Sequence, residues 1–309
     1  MPTDGEIPHL ATLAGDKSAE HIKCAQHSNN QGMKLKSLKP KYISLIIIGI
    51  GVVFLFAHEI RTGIAYLQAG LIKVDHPIAL HQPAYQVLLK KFVKGDLVDY
   101  ASMCKTKELQ AAVDELKCTS PDRLVNEKDQ LAYWIDALNL MVMEGVCERY
   151  PINSIRQLGN SPSSKQYIVG GKPFTIQDLY TDQVLPLAKK VEPLSIFLVC
   201  QGAIGYPPVV DHTLDSENLE IESKTAVYKF VNNPKNAYFD WSSKTFKISP
   251  FFQWTNDLFS DRYETPHAFV NFYREEKVDM ASVTVMKTFT LPFDWRLNDT
   301  RFAKQDASN

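Results

Sequence analysis

The sequence predicts an α+β fold, in which a single domain of mixed helices and short strands follows one transmembrane helix. Helical patterns and short alternating stretches succeed one another without the regular strand–helix–strand order of an α/β protein. No proline- or glycine-rich linker divides residues 76–300. An uncharged apolar run occupies residues 42–57 near the start of the chain. The first two observations predict the domain, and the third predicts the helix before it.

The apolar run at residues 42–57 is preceded by four lysines, Lys34, Lys36, Lys39 and Lys41. As a helix the run would rise about 24 Å, which is short against a hydrocarbon core of ~30 Å. Three interpretations are open: a buried core helix, a cleaved signal peptide or an uncleaved anchor. Bulky residues at the end of the run disfavour cleavage, so the sequence favours an anchor whose lysines stay on the cytoplasmic side.

This interpretation divides the chain into five segments. They are a disordered cytoplasmic tail (1–41), the anchor (42–57), a spacer (58–75), an exported domain (76–299) and a flexible tail (300–309). Met33 opens a stretch that resembles an export signal, which leaves Met1 and Met33 as alternative starts. The predicted location is the cell membrane, as a single-pass protein with its C-terminal domain outside the cytoplasm, on the periplasmic side in a Gram-negative cell.

Composition narrows the possible partners. The formal net charge of −1 gives no electrostatic basis for binding nucleic acid. The predicted partners are instead the lipid bilayer, through residues 42–57, and an envelope protein. Neither C-x-x-C nor H-E-x-x-H occurs, so the sequence predicts no metal site, and it predicts no cofactor.

The first half of the predicted domain is helical. Apolar residues at helical spacing within residues 83–94 predict a helix that Gly95 ends. A second helix is predicted over residues 105–117. The strongest helical pattern runs over residues 126–150 until Pro151 stops it, and its broad apolar face predicts a central position in the domain.

The second half mixes strands and helices. Hairpins are predicted over residues 166–174 and 237–249, and a buried strand over 194–200. A helix is predicted to start after Thr175, whose capping partner is Asp178 three positions on. The remaining predicted elements are helices over residues 215–231, 250–259 and 265–276, a late strand over 283–289 and a closing segment over 291–299.

Four cysteines of the predicted domain leave three full disulfide pairings open. They are Cys104, Cys118, Cys147 and Cys200. Cys104 and Cys118 flank a predicted helix and would lie ~20 Å apart, too far for a bridge. Free or partly paired thiols are therefore expected.

Several polar and aromatic residues are candidates for a pocket or a structural motif. Trp134 on the central helix is expected in the core. Asn139 on the same helix needs hydrogen-bond partners when buried, so it either orients a neighbouring loop or lines a pocket. Asp294 and Trp295 are predicted to dock the closing segment, with Asp294 capping a helix or pairing with a cation.

An ordered set of segments resembles a known family. These segments are GDLVDY, LAYWIDALNLM, ERYPINSI, YIVGGKPFTIQDL, FLVCQGAIGYPPV, ISPFFQW and LPFDWRLND. Together they are similar to the family called domain of unknown function 547, over roughly residues 76–299. The family occurs in bacterial envelope proteins and plant proteins and carries no agreed activity. The resemblance therefore implies a fold and a set of motif positions rather than a reaction.

The chain departs from the family pattern at positions that bear on chemistry. Asp136 stands where the central helix of the family usually has Asn. Leu179, Tyr180 and Thr181 stand where the family usually has Ile-Glu-His. Cys200 matches the first cysteine of the family motif, and Tyr206 replaces the second. Gln201 follows Cys200 in the same motif.

Two classes of function are compatible with these residues. The first is a non-enzymatic binding or assembly module of the cell envelope, which the lost Glu-His pair and second cysteine favour. The second is a thiol-dependent hydrolase or transferase, with Cys200 as nucleophile and His81 or His212 as base. His81 matches a position that is often His in the family, and His212 lies twelve residues after Cys200. A histidine nitrogen close to the Cys200 sulfur would favour the enzyme, and a sealed apolar setting would exclude it.

Overall fold

A computed structural model describes residues 59–303 of the chain. Its helices are α1 (59–69), α2 (Pro83–Phe92), α3 (Tyr100–Met103), α4 (Lys107–Cys118), α5 (Glu127–Cys147), α6 (Ser161–Ser164), α7 (Ile176–Asp178), α8 (Leu185–Val191), α9 (Leu219–Asn232), α10 (Pro250–Trp254), α11 (Ser260–Tyr263), α12 (Pro266–Tyr273) and α13 (Met280–Thr284). Its strands are β1 (Val93–Lys94), β2 (Leu97–Val98), β3 (Tyr167–Val169), β4 (Lys172–Phe174), β5 (Ala237–Asp240), β6 (Thr245–Ile248) and β7 (Lys287–Thr290). The predicted α+β class is confirmed.

Helix α5 is the centre of the domain. The side chain of Asn126 accepts a hydrogen bond from the Lys128 N–H and caps the helix start. Every side chain from 131 to 143 is buried. A helix that is buried all round must be enclosed by other elements, and α4, α7, α8 and the π-helical turn Leu179–Val184 pack around it.

Helices α2 and α4 pack on each other and on one side of this centre. Gln82, at the N-cap of α2, makes no side-chain capping bond. The carboxylate of Glu115, from α4, instead accepts the N–H groups of Ala84 and Tyr85 at 3.1 Å. A carboxylate at a helix N-terminus satisfies free N–H groups and interacts favourably with the helix dipole. Glu115 therefore fixes α2 against α4.

Residues Pro193–Leu198 form a 3₁₀ helix, so the strand predicted over 194–200 is wrong. The Glu192 side chain caps this turn by accepting the Leu194 N–H. The turn brings Phe197 within 5.1 to 6.2 Å, centroid to centroid, of five other phenylalanine rings, those of Phe230, Phe251, Phe252, Phe259 and Phe269. A short apolar run does not by itself distinguish a buried strand from a buried helical turn, and none of the described strands pairs with this run.

The strands form three small sheets. β1–β2 and β3–β4 are two-stranded hairpins, and the second turns at Gly170-Gly171 with positive φ at both glycines, as predicted. β5 and β6 form the other predicted hairpin, and β7 joins β6 in parallel. The late strand begins at Lys287 rather than at residue 283, because residues 283 and 284 complete α13.

The closing segment lies between two loops. The carbonyls of Asp294 and Arg296 accept the N–H groups of Gly205 and Ile204 at 2.9 Å. On the other side, the Trp295 carbonyl accepts the Ser154 hydroxyl at 2.7 Å. Isolated bridges of this kind hold the end of the domain against the loop that follows Cys200.

One disulfide joins Cys104 to Cys147, which lie 43 positions apart in sequence. Among the described cysteines, Cys118 and Cys200 are free. The bridge ties the end of α3 to the end of α5. The sequence left this pairing open because nothing in the spacing shows that these two ends meet.

The predicted membrane placement requires correction. Within residues 59–303, no helix is both long and apolar enough to cross a membrane. The longest of the helices with both ends described, α5, has 21 residues but carries five charged side chains. The predicted anchor, residues 42–57, lies outside the described residues. The predictions of a transmembrane, single-pass protein and of an extracytoplasmic domain are therefore withdrawn.

Candidate functional site

The predicted residues of the central helix all lie in the interior. The Trp134 ring packs edge-on against Tyr133 and Phe174, with centroids 5.1 and 5.5 Å away. Asp136 and Asn139 are each only 2% exposed. Buried polar groups need partners, so their hydrogen bonds show what these two side chains do.

Asn139 holds the backbone on either side of Val199. Its Nδ2 donates to the Leu198 carbonyl at 2.9 Å, and its Oδ1 accepts the Cys200 N–H at 2.8 Å. Both ends of one amide are therefore used to orient a neighbouring loop. The chain leaves its 3₁₀ turn at this point, where its backbone groups have no strand to pair with, and Asn139 supplies the missing partners.

Cys200 is buried and surrounded by hydrogen-bond donors. Its sulfur accepts the Nδ2 amide of Asn298 at 3.2 Å, and Asn298 in turn accepts the Tyr100 hydroxyl at 3.1 Å. Burial raises the pKa of the Cys200 thiol, although the backbone N–H groups of Gly202 and Val209 and the Asn298 amide act in the opposite direction. The thiolate, which is the nucleophilic form, is therefore disfavoured.

Neither candidate base contacts Cys200. His81 is exposed and makes no hydrogen bond within residues 59–303. His212 lies against Asp211 at 3.0 Å and Glu222 at 3.4 Å. The hydrogen-bond partners of the sulfur are amides rather than an imidazole, so the geometry provides no base for a Cys200 nucleophile.

Two tyrosines occupy the positions where the family pattern has its other reactive groups. Tyr180 lies in the π-helical turn and Tyr206 in the loop after Cys200. Burial, reinforced by Tyr180 and Cys200, raises the pKa of Tyr206 to about 12. At these two positions the chain carries phenols instead of the acid and the second thiol of the family pattern, and Thr181 stands in place of the imidazole.

Asp136 belongs to a separate enclosed cluster. Its Oδ2 accepts the Leu214 N–H at 3.0 Å, and burial raises its pKa well above the usual range, with Asp215 adding to the shift. It lines a cavity of about 10 Å³ together with Gln82 and Tyr85. In the described part of the chain, the Gln82 Oε1 and the Tyr85 hydroxyl find no hydrogen-bond partner.

The other candidate residues are Asp178, Gln201, Asp294 and Trp295. Within the described residues, their side chains either hold the local backbone, contact a neighbouring side chain or make no hydrogen bond. Asp178 forms a capping box with Thr175 at the start of α7. Asp294 pairs with the Arg296 guanidinium, through Oδ1 and Nε at 3.0 Å. Gln201 is half-buried and makes no side-chain hydrogen bond within the described residues. Trp295 carries the guanidinium of Arg156 on its ring at 4.3 Å.

An open groove of about 670 Å³ lies beside these residues. We call it the polar groove. Its walls are the β1–β2 turn, the loop 203–208 and the C-terminal half of α9 with the residues that follow. Its side chains with most bearing on a ligand are those of Lys94, Asp96, Tyr206, Lys229, Asn233 and Asn298. Asn298 both lines the groove and bonds the Cys200 sulfur, so Cys200 lies directly behind the groove wall.

The charge of the polar groove is positive. Lys94, Lys229 and Lys235 line it, against the single carboxylate of Asp96 among the described lining residues. Lys94 and Lys229 are exposed and form no ion pair within residues 59–303, whereas Lys91, in the last turn of α2, is paired with Glu108. The Oδ1 of Asn233 accepts the Lys235 N–H, and its Nδ2 makes no hydrogen bond to the described residues. Cationic and amide donors of this kind suit an anionic oxygen-rich ligand.

A smaller chamber of about 230 Å³ continues the polar groove, with which it shares Asp96, Pro208 and Lys229. His212 and Glu222 line it. Local sequence patterns do not indicate the groove, because its β1–β2 wall lies more than 100 positions before the loop 203–208 and the end of α9. Of the residues predicted from the sequence, Tyr206 lines the polar groove and His212 lines the smaller chamber.

No three His, Cys, Asp or Glu side chains in the described residues are grouped as metal ligands would be. The family model described as "Protein of unknown function, DUF547" matches residues 122–231. That range contains α5, the π-helical turn, Cys200 and most of α9. No curated protein and no solved structure matches the chain.

Proposed function

We propose a function from the geometry of the site, because the DUF547 family model that matches residues 122–231 names no activity in its description: the chain is a non-enzymatic binding module that holds an anionic ligand in the polar groove. The observation that carries this proposal is the pair of exposed lysines, Lys94 and Lys229, which come from β1 and α9, line one groove and form no ion pair within residues 59–303. The groove volume of about 670 Å³ lies within the range of ligand-binding clefts.

A binding function agrees with the chemistry around Cys200. The thiol is buried, its pKa is raised by that burial, and amides rather than a histidine surround its sulfur. An activated thiol would need a base within hydrogen-bond reach and a lowered pKa. The thiol-dependent hydrolase or transferase considered from the sequence has no comparable observation in its favour.

Direct binding measurements on the full chain test the proposal. Poly-L-glutamate and polygalacturonate serve as anionic probes and dextran as the neutral one, by isothermal titration calorimetry at two salt concentrations. We expect an anionic probe to bind, dextran not to bind, and the affinity to fall as salt rises. The double substitution K94A/K229A should weaken binding about tenfold, since each exposed ion pair is worth up to ~1 kcal/mol.

The matched control is K105A/K189A. Both lysines are exposed, neither is ion-paired within the described residues, and Lys189 lies in the last turn of α8 as Lys229 does in α9. The control variant should bind as the unmodified chain does. Equal losses in the two double variants, or no binding of either anionic probe, would refute the proposed function.

A further inference from the structure

A cluster of four aromatic rings adjoins the polar groove. We call it the aromatic face; it consists of Tyr206, Trp254, Phe293 and Trp295. Phe293 lies in the middle, with its ring centroid 4.9 Å from Tyr206, 5.0 Å from Trp254 and 4.5 Å from Trp295. Tyr206 also lines the groove, so the cluster and the groove share a ring.

The aromatic face is partly open to solvent. Trp254 is 50% exposed, and the other three rings are half-buried. Aromatic side chains of this size usually bury most of their surface. A contiguous group of rings that is only partly covered and has a polar rim is characteristic of a binding surface rather than of a core. Here the rim includes Arg156, whose guanidinium lies over the Trp295 ring.

The loop beside the cluster is built to let a ring approach. A Cβ at Gly205 would stand 2.8 to 2.9 Å from three carbon atoms of the Phe293 ring. The closing segment is held there by the hydrogen bond from the Gly205 N–H to the Asp294 carbonyl. Phe293 is thereby held in contact with both tryptophans, and Trp254 is the ring of this face that is most open to a ligand.

Resting on the proposed function, we propose that the ligand is an acidic polysaccharide, with a sugar ring stacked on Trp254 and carboxylates paired with Lys94 and Lys229. The apolar face of a pyranose ring packs on an aromatic ring, and the carboxylate of an acidic sugar can form an ion pair with Lys94 or Lys229. The combination of one exposed ring and unpaired lysines distinguishes this ligand from the alternatives. Single-stranded nucleic acid also stacks on aromatic rings, but it binds through several successive stacked bases, whereas only Trp254 of these four rings is exposed.

Rings and cations are available to the same ligand. Arg156 lies over the Trp295 ring, and Lys94 and Lys229 line the groove that Tyr206 also lines. A polysaccharide that presents both sugar faces and carboxylates would contact the rings and the lysines together. An acidic peptide lacks the stacking surface, and a neutral glycan lacks the charge.

Titration of the full chain with four probes tests this ligand class. The probes are polygalacturonate oligomers, poly-L-glutamate of similar charge, dextran and an oligothymidylate. We expect polygalacturonate to bind at least tenfold more tightly than each of the others. We expect Trp254→Ala to weaken polygalacturonate binding about tenfold and to leave poly-L-glutamate binding unchanged. K94A/K229A should weaken both.

Trp241→Ala is the matched control, because Trp241 is 53% exposed and does not belong to the aromatic face. It should leave all affinities unchanged. A urea midpoint equal to that of the unmodified chain shows that W254A remains folded. If the midpoint is lower, W254F is used instead, and its affinity for polygalacturonate should fall less than tenfold. Equal binding of polygalacturonate and poly-L-glutamate, with no effect of W254A, overturns the sugar while the anionic groove stands. Tightest binding of the oligothymidylate also overturns it. Failure of every anionic probe overturns the proposed function as well.

Discussion

Asn139 is the residue whose replacement should most clearly expose how the interior is organised. Substituting Asn139 by Leu keeps a side chain of similar length but removes both hydrogen bonds to the backbone at Leu198 and Cys200. The carbonyl and the N–H that remain are buried and have no other partner in the described residues. The variant therefore isolates the cost of leaving two main-chain groups unsatisfied.

The expected loss of stability can be worked from these two groups. Each buried, unsatisfied backbone group costs roughly 1–3 kcal/mol. The larger apolar surface of leucine offsets about 1–2 kcal/mol of that total. The net expectation is a loss of about 3 kcal/mol in the free energy of unfolding, a large share of the ~5–15 kcal/mol that a typical domain has.

Urea unfolding followed by tryptophan fluorescence measures this loss. With a urea dependence of about 3 kcal/mol per molar, the midpoint should fall by about 1 M. Asn160→Leu is the matched control, because Asn160 is exposed and its side chain makes no capping bond. Its midpoint should stay within about 0.2 M of the unmodified chain.

Asn139→Asp adds a test of the direction in which stability changes with pH. A carboxylate keeps the acceptor for the Cys200 N–H, but it can donate to the Leu198 carbonyl only when protonated. Burial raises the pKa of such a carboxyl in the folded state above the usual ~3.9, so the folded state binds more protons than the unfolded state. Stability of the variant should then be greatest below pH ~4 and fall as pH rises. If N139L unfolds at the same midpoint as N160L, or if N139D shows no such fall relative to the unmodified chain, Asn139 does not hold the loop as described.

Three further predictions concern stability. Replacing Cys104 and Cys147 by Ser should lower the free energy of unfolding by up to about 4 kcal/mol, the loop-closure value for a separation of 43 residues. A double variant with the same urea midpoint as the disulfide-bonded unmodified chain would contradict this. Asp136 has a pKa that burial raises, so its carboxyl stabilises the fold at low pH and loses that effect as pH rises. Asp136→Asn should therefore flatten the fall of the urea midpoint between pH 4 and 8. Midpoints of the variant and the unmodified chain that fall in parallel with pH would count against this. Gly202 has φ of +78° and a Cβ there would meet a side-chain carbon at 2.9 Å, whereas Gly95 has φ of +63° with open space around it. Gly202→Ala should therefore destabilise the fold more than Gly95→Ala, by at least ~1 kcal/mol in thermal or urea unfolding. Equal losses of stability in the two variants would refute the crowding at Gly202.

Local patterns were sufficient where one element decides its own conformation. The continuous apolar face over residues 126–150 predicted α5 and its central position, because a helix apolar on most sides can only be stable when it is enclosed. The Gly170-Gly171 pair predicted a hairpin, because two successive positive φ angles favour glycine. Thr175 and Asp178 predicted the start of α7 for the same kind of local reason.

Local patterns failed where the answer depends on a neighbour that is distant in sequence. The apolar run over residues 194–200 fits a strand or a helical turn equally well, and the ring of phenylalanines around Phe197 decides for the turn. The disulfide from Cys104 required α3 and α5 to end at the same place. Cys200 matched a reactive position in the family motif, but only the packed interior shows that amides surround it.

The sequence by itself determined the class of fold, the central helix and the turns, because each of these follows from the side-chain periodicity and backbone preferences of a few adjacent residues. Only the tertiary structure decided the chemistry: which thiol is buried, which histidine is turned toward carboxylates, and which lysines face a groove. Those properties depend on distance, burial and electric field between segments far apart in the chain. The pKa of Cys200 and the open lysines Lys94 and Lys229 acquire their meaning from the space around them, which no local pattern specifies.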